Sequence, residues 1–413
     1  MKSIYLILLC FLTLTVGCNR TYRIEVDVTP GSQGAMMALP VSHLGIRPYT
    51  QVALTGDTGQ PVACQAAADG TGEVFLYWRL PDNAENAKAA YKLETGKSND
   101  FPVLKVCDSN GALTIREGNT PILEYHYATA YPPEGTDTVF KRSGFIHPAW
   151  SPSGNVLTNI QPVDHRHHYG VWNPWTRLEY DSTVYDLWNL GDRQGTVRHN
   201  TVVSKTEGPV WAGFTARLDH IVFKQSDVQT EELKVMDELW DIKAWTMDDA
   251  GQKLFIWDFT SSLSLSPSTT LPIVLKAYRY GGFGYRATAE WTKENCIMQS
   301  SEGKARPEID GTNGRWVYVT GDCANGRSGL LLMGYPENHN FPEPIRIWDQ
   351  NANEGRGDAF INFAPTKFED WTLEAGSTYR LRYRAVAYDG DMTPEKAERL
   401  WNTFAHPPAA SVE

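Results

Sequence analysis

The sequence predicts an all-β protein, a sandwich rather than a barrel, on three observations. Alternating apolar and polar runs recur along the chain: YRIEVDV (22–28), EVFLYWRL (73–80), KLFIWDFTSSLSL (253–265), GRWVYVTG (314–321), SGLLLMGY (328–335) and YRLRYRAVAY (379–388). Thirty-four glycines and twenty-four prolines punctuate them as turns. Long amphipathic helices are scarce. In the last run Leu381, Tyr383, Ala385 and Ala387 alternate with Arg380, Arg382, Arg384 and Val386, the two-residue period of a strand.

Residues 1–17, MKSIYLILLCFLTLTVG, carry Lys2 and then an uncharged apolar run, the layout of an export signal. Gly17 before Cys18 fits lipoprotein cleavage with acylation of Cys18, and Thr15, where leucine is usual, is the departure. The expected product is an exported periplasmic or outer-membrane lipoprotein that meets the membrane only through this anchor; simple secretion is the alternative. No later stretch reaches the roughly 18 consecutive apolar residues a membrane helix needs. Composition shifts near CDSNGALTIREGNTPILEYHY (107–127), which predicts an N-terminal β-sandwich over 18–113 and a larger β-domain over 114–405, followed by a tail, 406–413. The larger domain should close with the helix TPEKAERLWNTFA (393–405). There Thr393 caps, Pro394 takes the first turn, and Ala397, Leu400, Trp401 and Phe404 form one stripe.

With 38 basic and 49 acidic side chains the chain carries a formal charge of −11, which argues against nucleic acid as a partner. Cys64, Cys107, Cys296 and Cys323 contain no C-x-x-C knuckle; Cys64–Cys107 and Cys296–Cys323 pairing and free thiols both remain open.

The chemistry concentrates in 141–199, which holds His147, His165, His167, His168 and His199, half of the ten histidines. In DHRHHYGVW (164–172) an extended chain puts His165 and His167 on one face and Asp164, Arg166 and His168 on the other. His165 and His167, joined by His147 or His199, are therefore candidate ligands for a divalent transition metal, zinc or manganese. Asp164 and His168 are candidate proton carriers or orienting groups, and a metal-free acid/base site or a purely structural histidine loop are the other readings.

Trp150, Trp172, Trp175 and Trp188, interleaved with tyrosines, carboxylates and Arg142, resemble a sugar-binding surface, although tryptophans also fill cores. Glu179, Asp181, Asp186 and Asp192 are near enough in sequence to serve glycosidic acid/base chemistry. The stretch DQNANEGRGDAF (349–360) lacks glycine at position six and glutamate at position twelve of a calcium loop, so it reads as a polar loop near the site. The glycines of YRYGGFGYRAT (278–288) would let Tyr285 and Arg286 approach a ligand.

The order IHPAWSPSG, DHRHHYGVW, YGGFGYRA, RWVYVTG with YPENHNFPEPIRIW, then LRYRAVAYDG before a final helix resembles the bacterial family labelled "methane oxygenase PmoA", over roughly residues 115–405. Its motif falls on His147, Pro148, Ser151, Gly154, Asp164, His165, His167, His168, Gly170 and Trp172, with Arg166 where members have proline. The label does not suit a chain without a membrane helix after its leader. The resemblance implies a supersandwich of galactose-mutarotase type and a place in glycan degradation. The expected function is hydrolysis or lyase-type cleavage of a carbohydrate or sugar derivative, with a non-catalytic glycan-binding lipoprotein or a metal-free sugar epimerase as alternatives. On this reading Asp164, His168, Arg142 and Glu179 are the catalytic candidates; Trp172, Tyr285, Arg286, Asn338 and His339 would bind substrate.

Overall fold

The computed structural model describes residues 20–81, 88–225 and 229–413; the leader 1–17 and Cys18 lie outside them. Among the described residues no helix is long and apolar enough to cross a membrane.

The N-terminal body pairs a five-stranded sheet, in the order Ala410–Val412, Thr21–Asp27, Lys88–Thr95, Val52–Gly56 and Pro61–Val62, with a three-stranded one, Met36–Pro40, Val74–Arg79 and Cys64–Ala68. Alternate residues Ile24, Val26, Met37, Leu39, Leu76 and Trp78 fill the space between them. The expected tail is thus partly a strand of the first sheet, with Ile24 opposite Val412. The expected boundary at 113 falls inside a hairpin, because Leu104–Ser109 pairs with Ala112–Glu117 in a sheet of the larger body. The turn at Asn110 and Gly111 that signalled a break is the tip of that hairpin, with φ 53° and 79°.

The larger body is a supersandwich of two eight-stranded antiparallel sheets. One runs Gly195–Thr206, Ala212–Gln225, Thr230–Asp249, Gln252–Leu265, Tyr379–Asp389, Gly326–Gly334, Trp316–Cys323 and Cys296–Ser300. The other runs Ile345–Ile347, Phe360–Phe363, Gly284–Arg286, Val171–Trp172, Phe145–Ala149, Thr120–His126, Ala112–Glu117 and Leu104–Ser109. In Tyr379–Asp389 the predicted alternation holds: Leu381, Tyr383, Ala385 and Ala387 enter the core between the sheets. Val386 and Tyr388 turn to the opposite face, where the helix Pro394–Ala405 buries Ala397, Leu400, Trp401 and Phe404 against them. Burial of the three large side chains contributes roughly 1.5–3 kcal/mol each before entropy is charged. Thr393 Oγ1 accepts from Lys396 N–H at 3.3 Å, and Pro394 opens the first turn, as predicted. The cysteines 64, 107, 296 and 323 are all free thiols.

Asn338, a substrate-binding candidate, instead ties a loop to this sheet. Its Nδ2 donates to Glu343 Oε2 at 2.9 Å and to Arg382 O at 2.9 Å, while its Oδ1 accepts from Arg382 N–H at 2.7 Å. Glu343 is fully buried and its Oε1 also accepts from Tyr383 Oη at 2.6 Å. Burial outweighs these two hydrogen bonds and pushes the carboxyl from its ordinary 4.5 up to about 7. The folded state therefore keeps a proton that the unfolded chain releases, so stability falls as pH rises from 4.5 through about 7. Glu343→Gln imitates the protonated form. It is expected to melt with the wild type at about pH 5 and above it at about pH 8, by up to roughly 3 kcal/mol, in thermal unfolding across that range. Parallel pH profiles for the two proteins would overturn this assignment.

Candidate functional site

Residues 161–170 are not extended. His165 N–H donates to Pro162 O at 3.1 Å, His168 N–H to His165 O at 3.0 Å and Gln161 N–H to His168 O at 2.8 Å, so two successive turns replace the strand. Turns cancel the parity of an extended chain, and all three imidazoles gather together. Ring centroids are 5.6 Å apart for His165 and His167, 4.8 Å for His165 and His168, and 4.7 Å for His167 and His168. Gly170 closes the segment at φ 57°, where an added Cβ would stand 2.2 Å from Ile146 O. Gly170→Ala is accordingly expected to cost at least about 1–3 kcal/mol, read as a lowered melting temperature.

An aromatic floor carries the trio. His168 is buried, with its centroid 5.0 Å from Trp172 and 5.4 Å from Trp348, and it stacks on Phe360 at 5.2 Å. Trp348 also receives His165 at 4.5 Å and the Arg286 guanidinium at 4.7 Å. Trp172 is fully buried and packs on Trp188 at 4.9 Å. It therefore supports the imidazoles from below rather than offering a face to a sugar, as the sequence had led one to expect.

The electrostatics separate the three histidines. Burial, reinforced by the charges of His165, Arg142 and Arg286, lowers His167 to about 3, and burial holds His168 well below its ordinary value. Both are neutral imidazoles near neutral pH. Asp164 is half-exposed and its Oδ2 lies 2.8 Å from His165 Nδ1. Burial works to raise this carboxyl, but the His165 hydrogen bond and the Arg286 charge together hold it below the usual carboxylate range. An ionised Asp164 accepts from Nδ1–H, which leaves the lone pair of His165 on Nε2. The pair is an oriented base.

Arg286 comes from Gly284–Arg286, where one residue separates it from the opposite face. Its neighbour Tyr285 consequently points into the core, donating from Oη to Leu157 O at 2.6 Å, and does not reach the trio. Five other candidates lie elsewhere. His147 bonds through Nδ1 to Thr158 Oγ1 at 2.8 Å, is lowered to about 4 by burial and the His126 charge, and makes no ring contact with the trio. Glu179 belongs to a separate four-stranded sheet, where it faces Lys276 Nζ at 3.7 Å. His339 stacks on Trp371 of that same sheet at 4.3 Å. His199 meets Tyr125 Oη at 2.8 Å, and Asn338 has the structural role described above. Among the described residues no group of three or more His, Cys, Asp or Glu side chains is arranged to hold a metal ion. The rings of the trio meet one another by face and edge, and His165 Nδ1 is engaged by Asp164.

Sequence reasoning missed Trp348, Asp358, Phe360 and Arg306. Asp358 Oδ2 is 3.5 Å from Arg286 Nη2, and Arg306 binds the carbonyls of Trp348 at 3.0 Å and of Gly357 and Asp358 at 2.8 Å each. The polar loop 349–360 does border the site. What concealed its members is distance in sequence, since almost 200 residues separate Trp348 from the histidines it packs on.

Fold and site define an all-β protein in which three imidazoles and Arg286 pack on an aromatic floor. The chain belongs to a family of unknown function, DUF6807, whose model matches residues 112–402. That match replaces the methane-oxygenase resemblance: the histidine motif lies inside the matched region, and nothing points to the other family. No curated protein matches the chain. Similar solved structures include an alpha-mannosidase from Enterococcus faecalis V583, 8% identical, TM-score 0.42, covering 95% of this chain and 46% of that one. Another is a protein in the glycosyl hydrolase family 38 from Enterococcus faecalis, 8% identical, TM-score 0.41, covering 95% and 47%. The chain spans slightly less than half the length of either.

Proposed function

We propose that this protein cleaves a carbohydrate or sugar derivative, as a hydrolase or lyase, with His165 as the general base. The observation that carries the reading is the Asp164–His165 pair at 2.8 Å, set on Trp348 and flanked by two neutral imidazoles. His165 Nε2 would take a proton from water or from a sugar carbon and return it to the glycosidic oxygen as its bond to carbon breaks, Asp164 holds the ring in the tautomer that leaves Nε2 free, and His167 offers a hydroxyl its donor and acceptor. Glu179 has no part in this scheme, and no step runs through a metal. The chain would work outside the cytoplasm, tethered by lipid at Cys18, on the support of its leader's layout.

The test is product analysis of the purified protein on a panel of neutral and acidic glycans, with metal analysis of the same preparation. New reducing ends without unsaturation indicate hydrolysis, and an ultraviolet-absorbing unsaturated sugar indicates elimination. Cleavage that survives His165→Ala, or that vanishes on chelation and returns with zinc or manganese, would overturn the proposed mechanism.

A further inference from the structure

We infer that the cleft between the two bodies is a second ligand site, which takes an organic oxyanion, a carboxylate or a sulfate ester, against Arg380 and Arg382. It lies across the sandwich core from the imidazole centre and does not depend on the chemistry proposed there.

Hydrogen bonds clamp the N-terminal body to the outer face of the sheet that contains Tyr379–Asp389. Gln65 Oε1 accepts from Val210 N–H at 2.9 Å and from Trp211 N–H at 3.1 Å, and Gly70 N–H donates to Asp241 Oδ2 at 3.0 Å. The closing helix, seated on the same face, leads into the strand Ala410–Val412, which pairs with Thr21–Asp27. Between these fixed points the bodies part and leave a cleft of about 390 Å³. Packed interiors have few voids larger than a water molecule, whereas small-molecule sites occupy roughly 300–1,000 Å³ and are frequent between domains. The N-terminal wall is largely apolar, with Met36, Pro40, Phe75 and Tyr77, and Phe404 and Pro407 line the cleft from the helix and the segment after it.

The wall opposite is the sheet, and it is polar. Arg380, Arg382 and Arg384 project from its outer face in succession, about 7 Å apart along the strand. The register sets Ser262, Thr260 and Asp258 opposite them in that order. Arg384 is satisfied: it donates to Asp258 Oδ1 at 2.6 Å and Oδ2 at 2.9 Å, and its guanidinium lies 4.8 Å from the Trp245 ring and 4.6 Å from that of Phe404. Arg380 and Arg382 face hydroxyls where Arg384 faces a carboxylate. Arg382 lies over the Tyr335 ring at 3.7 Å, which holds its plane. Among the described residues neither of these two side chains has an ion-pair or hydrogen-bond partner, and the hydroxyls of Thr260 and Ser262 have none either.

The acids that share the cleft are engaged elsewhere. Asp241 is held by Lys243 and Gly70, Asp258 by Arg384, and Asp69 accepts within its own turn from Thr71 N–H at 2.8 Å and Thr71 Oγ1 at 2.6 Å. A chain of formal charge −11 thus leaves two cations and two hydroxyls on one wall of a cleft. Both kinds of group donate to the oxygens of a carboxylate or sulfate, and the apolar wall opposite suits the carbon skeleton that carries it. One water takes roughly 30 Å³ of liquid, so the volume admits such a skeleton and not an ion alone.

Calorimetric titration of the full chain with digalacturonate, N-acetylglucosamine 6-sulfate, neutral lactose and inorganic sulfate reads the inference without turnover. At least one of the two organic anions is expected to bind about ten-fold or more tightly than lactose and inorganic sulfate, and the tighter of the two identifies the anionic group. Arg380 is exposed, so Arg380→Gln is expected to fold as the wild type does and to weaken that binding about three- to ten-fold. Adding Arg382→Gln should bring it to the level of lactose, and His165→Ala should not move it. Binding by neither organic anion at roughly millimolar concentration, equal binding of lactose or of inorganic sulfate, or an affinity unchanged in the double arginine variant would each overturn the inference. Anion binding lost with His165→Ala and kept by the arginine variants would place the ligand at the imidazole centre, overturning the second site and leaving the proposed function standing.

Discussion

His165→Ala is expected to lower kcat on a cleaved glycan by about a thousand-fold while KM stays within about threefold, because a general base acts in the transition state and not in binding. The three histidines are not equivalent. His167, lowered to about 3, and the still more buried His168 are desolvated beneath or beside the arginines. Either would have to accept a proton against the positive charge of Arg286. His165 is the one member with a carboxylate on its other nitrogen, so the imidazolium formed in the reaction is stabilised where it forms. Asp164→Asn should cost about ten- to a hundred-fold in kcat, since an amide can donate to Nδ1 and move the ring proton to Nε2. The double variant should fall little below His165→Ala alone, as expected of residues acting as a unit. Added imidazole should restore part of the activity of the alanine variant. A loss confined to KM would make His165 a binding group and remove the base.

What the sequence revealed follows from which physical signals are local. The strand Tyr379–Asp389 and the helix Pro394–Ala405 were readable because each has one buried face against a different layer, which imposes a two-residue or a helical period. The strand Thr230–Asp249 was not, because its middle is buried on both faces and its acids are interleaved with the apolar residues. At the site, the dense histidines marked the right segment, but reading them as extended split His168 from its neighbours; nothing in the composition announces a double turn. Pairing Tyr285 with Arg286 as ligand contacts failed for the opposite reason, since there the backbone is a strand and adjacent residues must part. Glu179 and His339 were nominated by closeness in sequence or motif; Glu179 lies in the small sheet built from Leu178–Tyr180, Thr183–Tyr185, Ile273–Leu275 and Trp371–Leu373, and His339 stacks from a turn on its Trp371.

Arg306→Met is expected to remove about 3–5 kcal/mol of stability and, with it, the outer wall of the site. Arg306 opens the short helix Arg306–Ile309 and is 6% exposed. Its Nε donates to Trp348 O at 3.0 Å, and its Nη2 to Gly357 O and Asp358 O at 2.8 Å each. One fork therefore fixes the two ends of a loop whose own backbone is unfavourable, with Asn353 and Glu354 at φ 52° and 57°. Methionine keeps the volume but leaves three inward carbonyls without donors, and each unsatisfied acceptor costs roughly 1–3 kcal/mol. Arg306→Lys separates stability from site geometry. A single ammonium cannot span the carbonyls of Trp348 and Asp358 in the fixed pattern of a guanidinium, so the lysine variant should recover much of the melting temperature yet release Trp348. Released, Trp348 no longer backs His165 or covers Arg286, and turnover should fall by about ten-fold or more while the near-ultraviolet dichroism of the tryptophans changes. A lysine variant with wild-type turnover and an unchanged aromatic spectrum would show that the loop stands without the arginine fork.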